Sequence, residues 1–295
     1  MVTMGVRTVF IGAGVVLTVM VVVVVAAVGI MMAVGNQRWQ NETAALHCQQ
    51  DAGARRAEGG TFDPAALSTL PDPVQSYLET VLTPGQRMVA AVQIEHSGTF
   101  NMDATGENWR PFRSTQRVLT QRPSFVWDGR VNVMPGMNAH VHDAYVDGRG
   151  ILYVALWGLV PVVDIRDTPE IARGELMRHL AETAWYPTAL LPGQGVTWSA
   201  VDQHSADATL TDGDTTVTLR FLFGSDNLIE RVYTEERDRS VGDSTELTPW
   251  DGRFTNYHWQ DGMLVPMHGD VGWILPAGRL SYWRGHVEQV SYTFH

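Results

Sequence analysis

One cysteine, Cys48, in 295 residues rules out an intrachain disulfide and any metal site built from several thiolates. Basic residues are scarce: 21 Lys and Arg stand against 32 Asp and Glu, a formal net charge of -11. A nucleic-acid groove needs clustered cations to neutralise phosphates, so this balance excludes one. Motifs that carry a mechanism are missing too: there is no Gly-x-Ser-x-Gly elbow, no His-Glu-x-x-His, no phosphate loop and no calcium loop. No internal repeat at a fixed period is visible. Ala45-Leu46-His47-Cys48 is a poor lipidation box, because bulky His47 precedes the cysteine and the apolar run ends far upstream.

That run is the most explicit feature present. From Thr8 to Val34 no residue is charged, and Val, Ala, Met, Ile and Gly dominate. It exceeds the roughly 20 residues needed to cross a bilayer core and the roughly 7–15 of a signal-peptide apolar region. Residues 1–35 therefore read as a retained transmembrane anchor. Gly12-Ala13-Gly14 has the look of a dinucleotide fingerprint, but no third glycine or second strand follows. Arg7 precedes the span, while Arg38 and Arg55-Arg56 follow it, a weak asymmetry. A short tail before an uncleaved span predicts a cytoplasmic amino end and an extracytoplasmic main domain on a single-pass chain in the cell membrane. Residues 36–66 read as a linker and 67–295 as one β-rich domain.

Within that domain, Asp72 and Pro73 open a short helix whose Val74, Tyr77, Leu78, Val81 and Leu82 form an apolar stripe. The period then changes to alternation. Strands are predicted at 88–100, 113–120, 125–134, 137–146 and 151–165, the last interrupted by Gly158 and Pro161. Eight more follow at 196–201, 206–211, 215–223, 228–236, 245–247, 254–259, 263–271 and 279–294. Pro135-Gly136, Asp212-Gly213-Asp214, Gly224-Ser225-Asp226-Asn227 and Asp261-Gly262 are hairpin turns. Between the two groups lies a helix capped by Thr168, begun by Pro169 and ended by Pro187. The fold class this predicts is α+β, mainly antiparallel β: a single curved sheet or half-barrel covered by two helices and preceded by an N-terminal transmembrane helix.

A sheet curved around its own helices has an interior, which bulky side chains can fill or line. The candidate ligand-binding residues are Trp127, Tyr145, Trp157, Leu180, Trp185, Tyr186, Trp250 and Trp283, with Arg178 or Arg284 for a polar head group. On the Thr168 helix, Glu175, Arg178, His179 and Glu182 read as a surface ladder of ion pairs; buried, they would form a polar network locking helix to sheet. His140 and His142 lie two apart, a workable metal-ligand spacing on a strand, with Asp128, Asp143 and Asp147 near strand ends. No third ligand is identifiable, and no catalytic residue, metal ligand or cofactor is assigned.

The residues Leu70-Pro71-Asp72-Pro73-Val74, Phe125-Val126-Trp127, Asp143-Ala144-Tyr145, Gly174-Glu175-Leu176-Met177-Arg178, Trp185-Tyr186-Pro187-Thr188-Ala189-Leu190-Leu191-Pro192, Thr248-Pro249-Trp250 and Tyr282-Trp283-Arg284-Gly285 resemble an uncharacterised bacterial, membrane-anchored family, a domain of unknown function. That resemblance brings no activity. More distantly, the short first helix, curved meander and inserted helix are similar to the lipoprotein-localisation carriers, half-barrels that shelter acyl chains. It implies a membrane-tethered domain that binds a lipid or other apolar ligand between sheet and helix. Two alternatives stand beside it: a hydrolase or metal-dependent enzyme using His140, His142 and nearby carboxylates, and an envelope scaffold without a ligand. The expected partners are the membrane, through the N-terminal helix, and a lipid or apolar small molecule.

Overall fold

In the computed structural model, residues 3–54, 60–103, 106–242 and 244–295 are described, with side chains from residue 18 onward; Arg55 and Arg56 lie outside them. Two meanders account for the strands. The first comprises β1 (Val89–Asn101), β2 (Trp109–Leu119), β3 (Ser124–Met134), β4 (Met137–Val146), β5 (Arg149–Leu156) and β6 (Val160–Arg166). The second comprises β7 (Val196–Asp202), β8 (Ser205–Asp212), β9 (Thr215–Phe223), β10 (Ile229–Val241), β11 (Ser244–Gln260), β12 (Met263–Leu275) and β13 (Gly278–Phe294). Pairing of β1 with β13 fuses them into one antiparallel sheet of 13 strands, ordered β6-β5-β4-β3-β2-β1-β13-β12-β11-β10-β9-β8-β7.

The outer strands β6 and β7 do not pair, so the sheet stays open, and helix α3 (Pro169–Ala181) connects them. α3 packs on β4 and β5 of one arm and on β9 and β10 of the other. The arms thus curl until both reach the same helix. At one end they touch directly: Tyr145 donates a hydrogen bond to Asp212 (3.0 Å), and Arg122 pairs with Asp147 and Asp212. Helix α2 (Asp72–Val81) adds Val74, Tyr77, Leu78 and Val81 to the same core. The fold class read from the sequence is the one observed, a curved antiparallel sheet with few helices and an N-terminal apolar helix.

Local details differ from expectation for identifiable reasons. Residues 151–165 form two strands, because Trp157 and Gly158 both take left-handed backbone (φ 52 and 70) and reverse the chain. Residues 245–259, expected as two strands, are parts of the single β11. Pro249 sits where a bulge between Thr234 and Arg237 interrupts the β10–β11 ladder, so its missing N–H forfeits no ladder bond. Pro71 rather than Asp72 takes the cap position before α2, with Asp72 in the first turn. Thr168 caps α3 as expected, its hydroxyl accepting from Ile171 N–H.

The apolar N-terminal segment belongs to helix α1 (Thr3–Gly53), 51 residues without a break. Its exposed stretch is long and apolar enough to cross a membrane. Residues 36–53, read as part of a linker, continue the helix and dock on the convex face of the sheet. Gly35, Trp39, Leu46 and Gln50 are buried, with Thr43 half-buried between them, at helical spacing. Trp39 and Leu46 close a second, smaller core with Val126, Ala144, Val146, Ile151, Tyr153 and Ala155. Gly35 and Gly158 meet so closely that a Cβ on Gly35 would overlap the Trp157 carbonyl.

Candidate ligand-binding cavity

The concave interior holds a cavity of about 290 Å3 near the middle of the sheet. Its walls come from both arms. Phe100, Met102, Trp127, Val131, Val141 and Val154 face it from β1 to β5 and the turn after β1; Trp250, Phe254, Val271, Tyr282 and Trp283 face it from β11 to β13; Ala181 and Trp185 form its helical side. The lining is overwhelmingly apolar, as in sites for small apolar ligands.

Three wall tryptophans share a local device. Trp127-Asp128-Gly129, Trp250-Asp251-Gly252 and Trp283-Arg284-Gly285 are Trp-x-Gly triplets within strands. Residues two apart lie on the same face of a strand, so each indole can lie flat over its glycine. A Cβ on Gly129 would overlap the Trp127 ring, one on Gly285 would overlap the Trp283 ring, and one on Gly252 would lie 3.6 Å from Trp250 Cη2. On β12, Gly269 gives room to the same Trp283 ring and to Trp185, at 3.0 and 3.6 Å from its virtual Cβ. Indoles that would fill the interior are instead laid against the wall.

A polar cluster lies along one side. Arg178 donates to Asp143 (2.5 Å), Glu182 (2.8 Å) and the side-chain carbonyl of Gln116 (3.1 Å), and its guanidinium stands over the Phe125 ring at 4.8 Å. Gln116 in turn donates to Glu182. Glu175 is buried, and burial, reinforced by the negative charge of Asp143, raises its carboxyl well above the usual range. Glu175 Oε2 and Asp143 Oδ1 otherwise lack hydrogen-bond partners, a deficit that one shared proton resolves. The helix face expected as a surface ladder is therefore buried: Glu175, His179 and Glu182 are all enclosed, because α3 runs inside the curl of the sheet.

Five of the ten residues singled out from sequence line the cavity: Trp127, Arg178, Trp185, Trp250 and Trp283. The other five do not. Tyr145 joins the two arms at Asp212, Leu180 is wholly enclosed in the core, and Tyr186 donates to the His179 carbonyl (2.8 Å). Trp157 sits in the β5–β6 turn, its indole N–H on the Gly136 carbonyl at 3.1 Å. Arg284 follows inward-facing Trp283, so alternation turns it outward, over the Trp109 ring and onto Asp270 (3.1 Å).

Sequence reasoning missed Arg237. Alternation counted from buried Val232 turns Arg237 away, but the bulge in β10 adds a residue and returns it to the concave side. It is 8% exposed, lines the cavity, and lies over the Trp250 ring at 4.6 Å. Trp39 was missed as well, since it stands outside the predicted domain.

His140 and His142 face away from the cavity, under α1. The His142 ring stacks on Trp39 (centroids 3.9 Å apart) and its Nε2 meets Thr43 Oγ1 at 2.7 Å, while Asp128 accepts from Trp39 Nε1 (2.8 Å) and Thr43 (3.2 Å). Asp143 projects from the opposite face of the strand, toward the cavity, and Asp147 pairs with Arg122. Burial lowers both histidines to about 4, leaving them neutral. Among the described residues, no group of three or more His, Cys, Asp or Glu could hold a metal ion.

The cavity also has a direction relative to α1. Gly35, at the end of the apolar segment, abuts the β5–β6 turn, whereas Gly53 lies beside Arg122 and Asp147 at the other end of those strands. Phe100, Val131, Ala139 and Val154 place the cavity in the half of the first arm nearest Gly35. Met102, Met134, Val160 and Val162, in or beside the turns at that end, are exposed.

No curated protein matches the chain in sequence. Among solved structures, a LolA superfamily protein from Nitrosomonas europaea is similar at 13% identity over 74% of this chain and 92% of its own, with a TM-score of 0.40. A beta-barrel-like protein of the domain of unknown function DUF1849 from Brucella abortus is similar at 11% identity over 70% of this chain and 99% of its own, with a TM-score of 0.20. Both scores fall below that at which a shared fold follows. A family of unknown function, DUF6920, matches residues 68–292, and the chain belongs to that family.

Proposed function

We propose that the chain is a membrane-tethered, extracytoplasmic half-barrel that binds a lipid or other apolar ligand in the cavity between its curved sheet and α3. The observation that carries this reading is the cavity itself. The interior keeps about 290 Å3 open behind walls of aromatic and aliphatic side chains, close to the lower end of the roughly 300–1,000 Å3 typical of ligand sites. Glycines beneath Trp127 and Trp283 keep those rings out of the space. A binding protein needs no nucleophile or metal, and the histidines open to such a role serve the α1 contact instead.

The direction of the cavity supports a ligand drawn from the bilayer. The apolar part of α1 leaves the domain at the end where the cavity lies, and the exposed Met102, Met134, Val160 and Val162 stand there with it. Apolar side chains grouped beside a membrane span are suited to dip into the interface.

Native mass spectrometry of the full chain, with lipid extraction of the same preparation, tests the reading. A discrete co-purifying apolar mass is expected. A clean mass of the chain alone, from several mild detergents and after addition of membrane lipid extract, would remove it.

A further inference from the structure

Among the described residues, one cation of the cavity wall lacks a carboxylate partner. Arg178 is saturated by Asp143, Glu182 and Gln116. Arg253 also borders the space, but its side chain is half exposed and lies 3.2 Å from Asp251. Arg237 is 8% exposed and makes no ion pair among the described residues, and its Nη1 has no hydrogen-bond partner. Removing a guanidinium from water without a counter-charge is costly. Packing over the Trp250 ring offsets part of that cost but satisfies none of its N–H donors.

Its neighbours are donors rather than acceptors. Trp250 spends its indole N–H on the Tyr282 hydroxyl (2.9 Å), so Tyr282 accepts there and keeps its own proton to give. Trp127, across the cavity, has an indole N–H with no partner. The acid whose charge reaches Arg237 is Glu175, and burial together with Asp143 raises its carboxyl well above the usual range, which weakens it as a counter-charge. An enclosed apolar space with a lone guanidinium and spare N–H and O–H donors lacks one component, an acceptor with a negative charge.

We propose that the ligand of this cavity is an amphiphile with a single anionic head, a long-chain carboxylate, whose head is bound by Arg237 with Tyr282 beside it and whose chain lies along Trp127, Val141, Val154 and Trp283. The inference rests on the apolar-ligand reading above and names its chemistry. A carboxylate accepts two N–H bonds from one guanidinium in a planar pair and matches its single charge.

The test uses the full chain in phosphatidylcholine nanodiscs and two photoactivatable probes with the same diazirine-bearing hexadecanoyl chain, one a free acid and the other its methyl ester. Labelled peptides are located by mass spectrometry. The acid should label cavity-wall peptides at least tenfold more than the ester; Arg237→Gln should abolish that preference and Arg237→Lys should retain part of it. Equal labelling of the cavity by acid and ester, unchanged in Arg237→Gln, would overturn the anionic head while leaving an apolar site. Failure of both probes to label the cavity would overturn the apolar-ligand reading itself. If Arg237→Gln does not fold, the comparison of acid with ester in the natural chain and in Arg237→Lys still decides.

Discussion

At the scale of single residues, the cavity depends on atoms that are missing. A glycine two positions after an inward tryptophan is the space into which the indole lies, and the arrangement occurs at Gly129 and Gly285. Gly285→Val should lift the Trp283 ring into the cavity, lowering ligand occupancy several-fold in native mass spectrometry while the thermal midpoint moves by only a few degrees. Unchanged occupancy would show that the glycines do not set the cavity. The buried carboxylates differ from one another just as sharply. Glu182→Gln takes a charge partner from enclosed Arg178 and should cost about 3–5 kcal/mol, the usual result of breaking a buried pair. Burial and Asp143 raise the Glu175 carboxyl well above its usual range and so favour its neutral form, and Glu175→Gln should cost less than Glu182→Gln. Chemical denaturation of the two variants compares them directly, and equal losses would contradict that difference.

At the scale of elements, α1 is two devices in one helix. Its first part is an apolar stretch long enough to cross a membrane; its second is a strut on the convex face, fixed by Trp39, Thr43, Leu46 and Gln50 against β3 and β4. Beneath it, burial lowers His140 and His142 to about 4; for His142 it outweighs the opposing charge of Asp128, while Arg130, Arg166 and His47 act in the same direction as burial. In the unfolded chain they titrate near 6.5. Between those values the detached state binds more protons, so the stabilisation is fully present above about pH 6.5 and is lost as pH falls toward 4. Hydrogen exchange of residues 36–53 should accelerate across that window, and a flat profile would contradict the burial of these rings.

The strut also shows what was legible in the sequence. Strand period, hairpin glycines, the Thr168 cap and the apolar span gave almost every element, because each is a local signal. The docking stripe of α1 was local too, at helical spacing from Gly35 to Gln50, but its polar members Thr43 and Gln50 hid it among residues read as a tether. The burial of Glu175 and His179 was not local: it follows from the sheet curling around α3, which no pattern within the helix records. Arg237 was hidden by the β10 bulge, since alternation counted without the extra residue points it the other way. Trp127, Trp250 and Trp283 were within reach because an aromatic inside a strand of a curved sheet faces a limited set of surroundings, and Arg178 and Trp185 because the inserted helix lies inside the curl; Trp157 and Arg284 lie elsewhere because of a turn and of strand parity.

At the scale of the molecule, span, strut and cavity form one line. The 51-residue helix, about 77 Å at 1.5 Å per residue, is continuous from the apolar segment to the end of its contact with the domain. The domain is therefore held at a fixed attitude to the span, with Met102, Met134, Val160 and Val162 at the near end. Substituting Met134→Asp together with Val160→Asp should slow the uptake of a fluorescent fatty acid from the surrounding bilayer by severalfold, with no loss of thermal stability at these exposed sites. Uptake at the natural rate would remove the bilayer-facing entry. The central claim, that the interior is a binding site, is tested most directly by filling it. Val141→Trp adds an indole from the cavity wall with no change of charge. The account predicts a folded chain that has lost the co-purifying apolar mass seen by native mass spectrometry in the natural protein; the same mass at the same occupancy in both would contradict it.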